Sequence, residues 1–383
     1  MINLAASSSS SGTNPVVILL IAAVIVIGAV AIVRRQGRSQ PPRQPLDPVS
    51  PLEDGSARRP VHAPGIMRDA APQDAGRLAA AVAPGLGAGS RIADYRLEEQ
   101  VGHGGMAVVF RACDERLGRL VALKIMAPAV AADAAFRQRF IRESRAAAAV
   151  DDPHIIPVYE AGEASGVLFI AMRYVPGGDV RTLVDRQGPL RAGRAAAIIS
   201  PVASALDAAH AAGLVHRDVK PGNMLVDARP GRPDHVYLSD FGLSKGAMSS
   251  ARLTGTGQLL GTLDYISPEQ IAGRQVDGRT DQYALACAAF ELLTGAPPFR
   301  RDEATAVMYA QLSEPPPQLT SLRPDLPPAA DQVFARALAK APGQRYADCR
   351  EFADALRASC DLAPYDSDHN VRRTADHPPT QIA

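Results

Sequence analysis

Residues 214–226, reading L-V-H-R-D-V-K-P-G-N-M-L-V, constrain this chain more than any other stretch. An Ala-rich run of helical character ends at Gly213, an apolar pair follows, then a dense polar loop, then a second apolar strand. A carboxylate (Asp218), an ammonium (Lys220) and an amide (Asn223) are thus held between two apolar elements, as in loops that position reactants on a rigid scaffold. Asp218 can accept a proton from a hydroxyl, Lys220 can neutralise a phosphoryl oxygen, and Asn223 can offer an oxygen to a metal ion. Such a set suits phosphoryl transfer, where catalysis is mostly positioning and charge stabilisation.

With 383 residues the chain can hold one large domain or two ordinary ones. Lys and Arg number 41 against 40 Asp and Glu, so no bulk basic field points to nucleic acid. Cys113, Cys287, Cys349 and Cys360 lack the paired spacing of a metal ribbon or a disulfide framework. They read as reduced, buried residues of a cytosolic body.

The N-terminal quarter is organised differently. Residues 1–15 begin Ser-rich and uncharged, and 16–33 form an unbroken apolar run. As a helix that run spans about 27 Å, close to the hydrocarbon thickness of a bilayer. Arg34, Arg35, Arg38 and Arg43 follow it and no basic residue precedes it. The positive-inside rule then sets residues 1–15 outside the cell and the remainder in the cytoplasm, a single-pass arrangement in the cell membrane with the bilayer as partner of 16–33. The rival is a cleaved signal peptide, with Ala29 and Ala31 as a small-x-small site, but the basic residues sit on the wrong side for it. Residues 34–91, rich in Pro, Ala, Gly and Arg, read as a flexible linker, and 360–383 as a polar tail carrying Thr374 and Thr380.

Between linker and tail lie the other polar groups that phosphoryl transfer needs. Gly102, Gly104 and Gly105 sit where a backbone can approach a polyphosphate, and the strand-like 108–112 that follows argues against a Rossmann turn, which should open a helix. Lys124 ends an apolar strand, from which an ammonium can reach phosphates if a carboxylate orients it. A helical stretch at 136–150 offers Glu143. Asp240 ends a short strand at 236–239 and is followed by Phe241 and Gly242, which suits a metal ligand on a movable segment; the oxygen donors favour Mg²⁺ over zinc. Residues 281–293, apolar on nearly every face, must form a buried helix.

Taken in order, G-H-G-G-M-A, V-A-L-K, Glu143, H-R-D-V-K-P-G-N, D-F-G and G-T-L-D-Y-I-S-P-E resemble the bacterial eukaryotic-like (Hanks-type) Ser/Thr protein kinases over about residues 92–359. The resemblance implies an α+β, bilobal fold with a β-rich N-lobe (92–175) and a helical C-lobe (176–359). It assigns the catalytic positions to Asp218, Lys220, Lys124 paired with Glu143, and Thr262, and the metal to Asn223 and Asp240. Nucleotide contacts fall to Val101, Gly102, His103, Gly104, Gly105, Met106, Ala107, Val109, Ala122, Lys124, Met172 as gatekeeper, Arg173, Val175, Asp179 and Leu225. Three departures stand out: Ala107 replaces the third glycine, Arg173 an often acidic hinge residue, and Thr182 the usual ribose-binding acid. Further implications are ATP with Mg²⁺ (or Mn²⁺), protein substrates bearing Ser or Thr, and activating phosphothreonines at Thr254 and Thr256 that Arg217 could pair with. Asp281 would hold the catalytic loop, Arg345 would pair with Glu269, and a homodimer is a partner that the resemblance allows. The alternatives are a catalytically dead kinase-like scaffold, a small-molecule phosphotransferase and a pure membrane adaptor. The presence of Lys124, Asp218 and Asp240 argues against the first, and the 262–269 platform against the second.

Overall fold

The computed structural model describes residues 85–104, 107–228, 234–241 and 263–365. From residue 91 to 126 the hydrophobic period is two, and the chain forms β1 (Arg91–Ile92), β2 (Tyr95–His103), β3 (Ala107–Asp114) and β4 (Arg119–Met126). Tyr95 and Leu97, Val108, Phe110 and Ala112, and Val121, Leu123 and Ile125 all turn inward and are buried, as alternation demands. With β5 (Val158–Ala164) and β6 (Val167–Arg173) these strands make a six-stranded antiparallel sheet in the order β1-β2-β3-β4-β6-β5. The β4–β6 register sets Ala122 opposite Met172 and Lys124 opposite Ile170, so lysine and hinge are fixed by one ladder.

Two helices interrupt the sheet, α1 (Pro128–Ala131) and α2 (Ala134–Ala148). The Asp133 carboxylate accepts from the Ala135 and Phe136 amides, which explains why α2 starts ahead of the expected residue 136. Its inward stripe is Phe136, Phe140, Ser144 and Ala147, spaced at three and four residues.

Beyond the hinge the period becomes helical. In order come α3 (Val180–Gln187), α4 (Ala192–Ala211), the hairpin β7 (Met224–Asp227) with β8 (His235–Leu238), and α5 (Pro268–Ile271). They are followed by α6 (Gly278–Thr294), α7 (Ala304–Ser313), α8 (Leu319–Leu322), α9 (Ala329–Ala337) and α10 (Cys349–Ser359). Helix α6 is buried continuously from Thr280 to Leu293, as its uniform apolarity requires, and begins at Gly278 because Asp277 caps the Arg279 amide. Phe290 packs edge-on against Phe334 at 5.6 Å, and Phe334 against Phe352 at 6.1 Å, tying α6, α9 and α10 into one core. The four cysteines are free, with Cys287 and Cys349 buried.

Among the described residues no helix is long and apolar enough to cross a membrane, and the run 16–33 lies outside them. The linker up to residue 84, the threonines 254, 256, 262, 374 and 380, and Gly105, Met106 and Gly242 lie outside them too.

Candidate active site

The polar loop is held from beneath by its own backbone. Asp281, wholly buried on α6, accepts the His216 amide on Oδ2 at 2.7 Å and the Arg217 amide on Oδ1 at 2.6 Å. Arg217 sits in the left-handed region at φ 67°, a conformation costly for a side-chain-bearing residue and here secured by that bond. His216 is buried, and its ring packs 4.6 Å from that of Phe241. Its Nδ1 accepts the Asp218 amide at 3.2 Å while Nε2 meets the Ser239 carbonyl at 2.9 Å, which assigns the proton to Nε2.

Above this support the three expected side chains converge. Lys220 Nζ donates to Asp218 Oδ2 at 2.9 Å. Asn223 Nδ2 donates to the Asp218 carbonyl at 2.7 Å and to Asp218 Oδ2 at 3.3 Å, leaving the amide oxygen as the group free to ligate. The Ser239 amide and hydroxyl both donate to the Asn223 carbonyl, at 2.9 and 3.1 Å, so the hairpin brings Asp240 beside Asn223. Their amide and carboxylate oxygens fit a hard divalent cation.

Asp240, also left-handed at φ 66°, binds Lys124 Nζ at 2.8 Å through Oδ1. Burial acts to raise its carboxyl, but the Lys124 ammonium overrides that and holds it below the ordinary aspartate value. The expected Lys124–Glu143 pair is therefore not formed in this structure. Glu143 lies one position off the inward stripe of α2, and its carboxylate reaches Arg142 at 3.9 Å. Ser144 and Ala147 instead line the small cavity between Lys124, Met172, Asp240 and Phe241. The half-buried carboxylate of Asp240 holds the lysine instead.

An apolar cradle adjoins these charges. Ala107, Ala122, Met172 and Val175 belong to one buried cluster against which Val109 and Leu225 pack. Gly102 and His103 pair with Val109 and Val108 across the β2–β3 ladder, and the Gly104 amide donates to the Ala107 carbonyl at 2.8 Å, closing the described part of the flap. Val101 is 45% exposed on its rim. Gly177 is required here because a Cβ would stand 1.9 Å from the Val226 carbonyl oxygen. Two side chains at the hinge are engaged within the protein itself. The Arg173 side chain turns away to the Tyr237 hydroxyl, with its guanidinium 5.4 Å from that ring. Asp179 caps α3, its carboxylate accepting the Thr182 amide at 2.8 Å and hydroxyl at 3.1 Å, so a ribose contact would compete with the cap.

The segment after residue 262 is anchored in the helical core. Glu269 and Arg345 form a buried bidentate pair, both bonds 2.8 Å, and the Thr280 hydroxyl donates to Glu269 Oε1 at 2.8 Å. Burial works to raise the Glu269 carboxyl, and Arg345 more than offsets it, leaving it lowered. Ser267 forms a capping box with Gln270, whose side-chain amide also donates to the Arg217 carbonyl at 3.2 Å.

Sequence reasoning missed two polar groupings. Glu291 accepts Arg181 Nη1 at 2.8 Å and the Tyr265 hydroxyl, and beside it burial and the Glu291 charge push Asp264 up to about 6. His210 contacts Asp281 at 2.8 Å. Neither grouping has a local spacing that would betray it.

The geometry agrees with what comparison finds. The protein kinase domain model matches residues 95–356. Serine/threonine-protein kinase PknD of Mycobacterium tuberculosis is 45% identical over 276 residues, covering 71% of this chain and 41% of the relative. PknE of the same species is 41% identical over 285 residues, covering 74% and 49%. The chain thus spans less than half the length of these curated relatives. The crystal structure of the M. tuberculosis PknI kinase domain superposes with a TM-score of 0.59 at 39% identity, over 72% of this chain and 100% of that one.

Proposed function

The chain belongs to the protein kinase family, and from that premise we propose that it is a Ser/Thr protein kinase, transferring the γ-phosphate of ATP to Ser and Thr hydroxyls of proteins, its own activation segment included. One observation carries the reading: Asp218, Lys220 and Asn223 share a hydrogen-bond cluster, and the hairpin behind it delivers Asp240 onto Lys124.

In the proposed reaction the adenine enters the cradle of Ala122, Met172, Val175 and Leu225 under the glycine flap. Lys124 orients the phosphates. Asn223 and Asp240 would hold Mg²⁺, which when bound neutralises phosphate charge. Asp218 accepts the substrate hydroxyl proton as that oxygen bonds the γ-phosphorus and the bond to the β–γ bridging oxygen breaks, releasing ADP. Lys220, already on Asp218, steadies the transferring group. For catalysis Lys124 would exchange Asp240 for the phosphates, and Glu143 would turn inward to take it.

The run 16–33 supports tethering to the cell membrane with the catalytic body in the cytoplasm. Thr254 and Thr256 are proposed sites of activating phosphorylation, and Thr262 would help select a hydroxyl substrate.

The test incubates the full chain with Mg-ATP and a generic protein substrate. Label transfer by the wild type and none by Asp218→Asn supports the reading, whereas a silent wild type favours the scaffold. A reporter fused after Ala383 should be cytoplasmic, and activity outside the cell would reverse the topology. Thr254→Ala combined with Thr256→Ala should lower turnover; an unchanged rate removes those two as the activating sites.

A further inference from the structure

We propose that residues 361–365 form a strap, which docks this chain's own C-terminal segment on the turn behind the hinge and steadies the nucleotide cradle from there. The docking stands on geometry alone, while its effect on the nucleotide rests on the kinase reading above. The strap lies past residue 356, where the match to the protein kinase domain model ends.

The reversal that starts the strap is built into the end of α10. Asp361 takes the left-handed conformation at φ 53°, which aspartate tolerates better than most residues with a side chain. Its amide donates to the Ala358 carbonyl at 3.2 Å and the Leu362 amide to the Arg357 carbonyl at 3.0 Å, the paired closure of a Schellman turn. Leu362 then lies over the start of α4, its Cδ2 3.9 Å from where a Cβ on Gly193 would stand. Arg357 Nε donates to the Ala363 carbonyl at 2.5 Å and aims the chain back.

Tyr365 arrives at a prepared acceptor. His154, in the turn between α2 and β5, is 3% exposed. Its amide donates to Asp152 Oδ1 at 2.8 Å, its carbonyl accepts the Leu238 amide at 2.7 Å, and its ring stacks on His235 with centroids 4.7 Å apart. Ring Nδ1 donates to the Val236 carbonyl at 2.9 Å, which leaves Nε2 as the acceptor, and the Tyr365 hydroxyl donates to it at 3.1 Å. Burial lowers this imidazole and keeps it neutral, as that pair of bonds requires. A buried ring nitrogen calls for a partner, and Tyr365 supplies it from 211 positions away.

From His154 the contacts run on to the hinge. His235 packs on Tyr237 at 4.4 Å, and the Tyr237 hydroxyl takes the Arg173 guanidinium. The Arg173 amide donates to the Pro157 carbonyl at 2.9 Å, just beyond the same turn. The turn is also bonded to β8, through the Leu238 amide to His154 and the Ile156 amide to Leu238, and β8 leads to Asp240. The strap therefore sits where the turn after α2, the hinge and β8 meet, and its release would loosen that joint.

The experiment compares the wild-type full chain with Tyr365→Phe and with a chain ending at Ala363, which keeps the Schellman turn. The shortened chain should exchange its Ile156 and Leu238 amides about tenfold faster. Its KM for ATP should rise about threefold while kcat changes little. Tyr365→Phe should fall between the two, and it serves as the reading if the shortened chain does not fold. Unchanged exchange in both variants would make residues 361–365 a passive surface segment and overturn the proposal. Faster exchange with an unaltered KM would overturn the reach to the nucleotide. Protection that falls on dilution of the wild type would mean a second copy supplies the segment, and overturns docking within one chain. A wild type without activity would sink the kinase reading, and exchange would still decide the strap.

Discussion

Lys124 Nζ lies 2.8 Å from Asp240 Oδ1, so the ammonium ending β4 and the carboxylate following β8 neutralise each other across the nucleotide cradle. Neither is well solvated, the lysine side chain being 14% exposed and the aspartate 28%. A charge left there alone would be costly.

Asp240→Asn should therefore do two separable things. Phosphoryl transfer should fall by on the order of 10²–10³, because the carboxylate proposed to hold the metal is lost. The melting temperature should also fall, because Lys124 loses its partner. Lys124→Met added to Asp240→Asn should recover part of the melting temperature but none of the activity. The reading fails if the double variant melts below both singles.

How much of this site was legible in the sequence divides along a physical line. Asp218, Lys220 and Asn223 sit on one loop, and Lys124 ends one strand, so local spacing carries their chemistry. The partner of Lys124 does not follow from spacing, since a rotation of α2 decides whether Glu143 or Ser144 faces in. Glu291 and His210 lie within apolar helices, and their partners stand 26 to 110 positions away, beyond any local pattern. Asp179 carries two signals at once. With Thr182 three residues on, it carries the signature of a helix cap, and the resemblance drew attention to ribose instead. The fold class followed from the resemblance that the ordered motifs carry, whereas α7 holds no such motif and its apolar residues form no clear stripe.

The Glu269–Arg345 pair should be the most fragile tie of the helical half. Both side chains are at most 4% exposed and bond bidentately, so removing one partner strands a buried charge. Arg345→Ala should cost about 3–5 kcal/mol in urea unfolding. The folded carboxyl is lowered, so its contribution is fully present above the unfolded value of about 4.3 and is lost as pH falls through the folded one. The gap between wild type and Arg345→Ala should accordingly narrow in strong acid. A gap independent of pH would mean the arginine acts by packing alone.

Gly177→Ala tests the hinge. The new methyl would meet the Val226 carbonyl, a backbone atom that cannot rotate away. The bond from the Val226 amide to the Gly178 carbonyl, 3.0 Å, lies in the same contact. Overpacking of this kind costs about 1–3 kcal/mol. Because Val175 and Leu225 flank the contact, KM for ATP should rise several-fold while kcat changes little. An unaltered KM would show that the hinge can shift without disturbing the cradle.

Asp264 offers a titration with the opposite sign to Glu269. Burial, then the Glu291 charge, raise its carboxyl from 3.8 to about 6, so the folded state prefers the neutral acid. Stability from this preference is fully present below about 3.8 and is lost as pH rises through about 6. Asp264→Asn keeps the group neutral throughout. Its melting temperature relative to wild type should therefore climb between pH 4 and pH 7 and level off above. Arg300 and Arg181 both act to lower the carboxyl, so Arg300→Gln in the wild-type background should push the midpoint of that climb upward. A difference curve that is flat with pH would place Asp264 in water and remove the buried carboxyl pair from the account of the substrate platform.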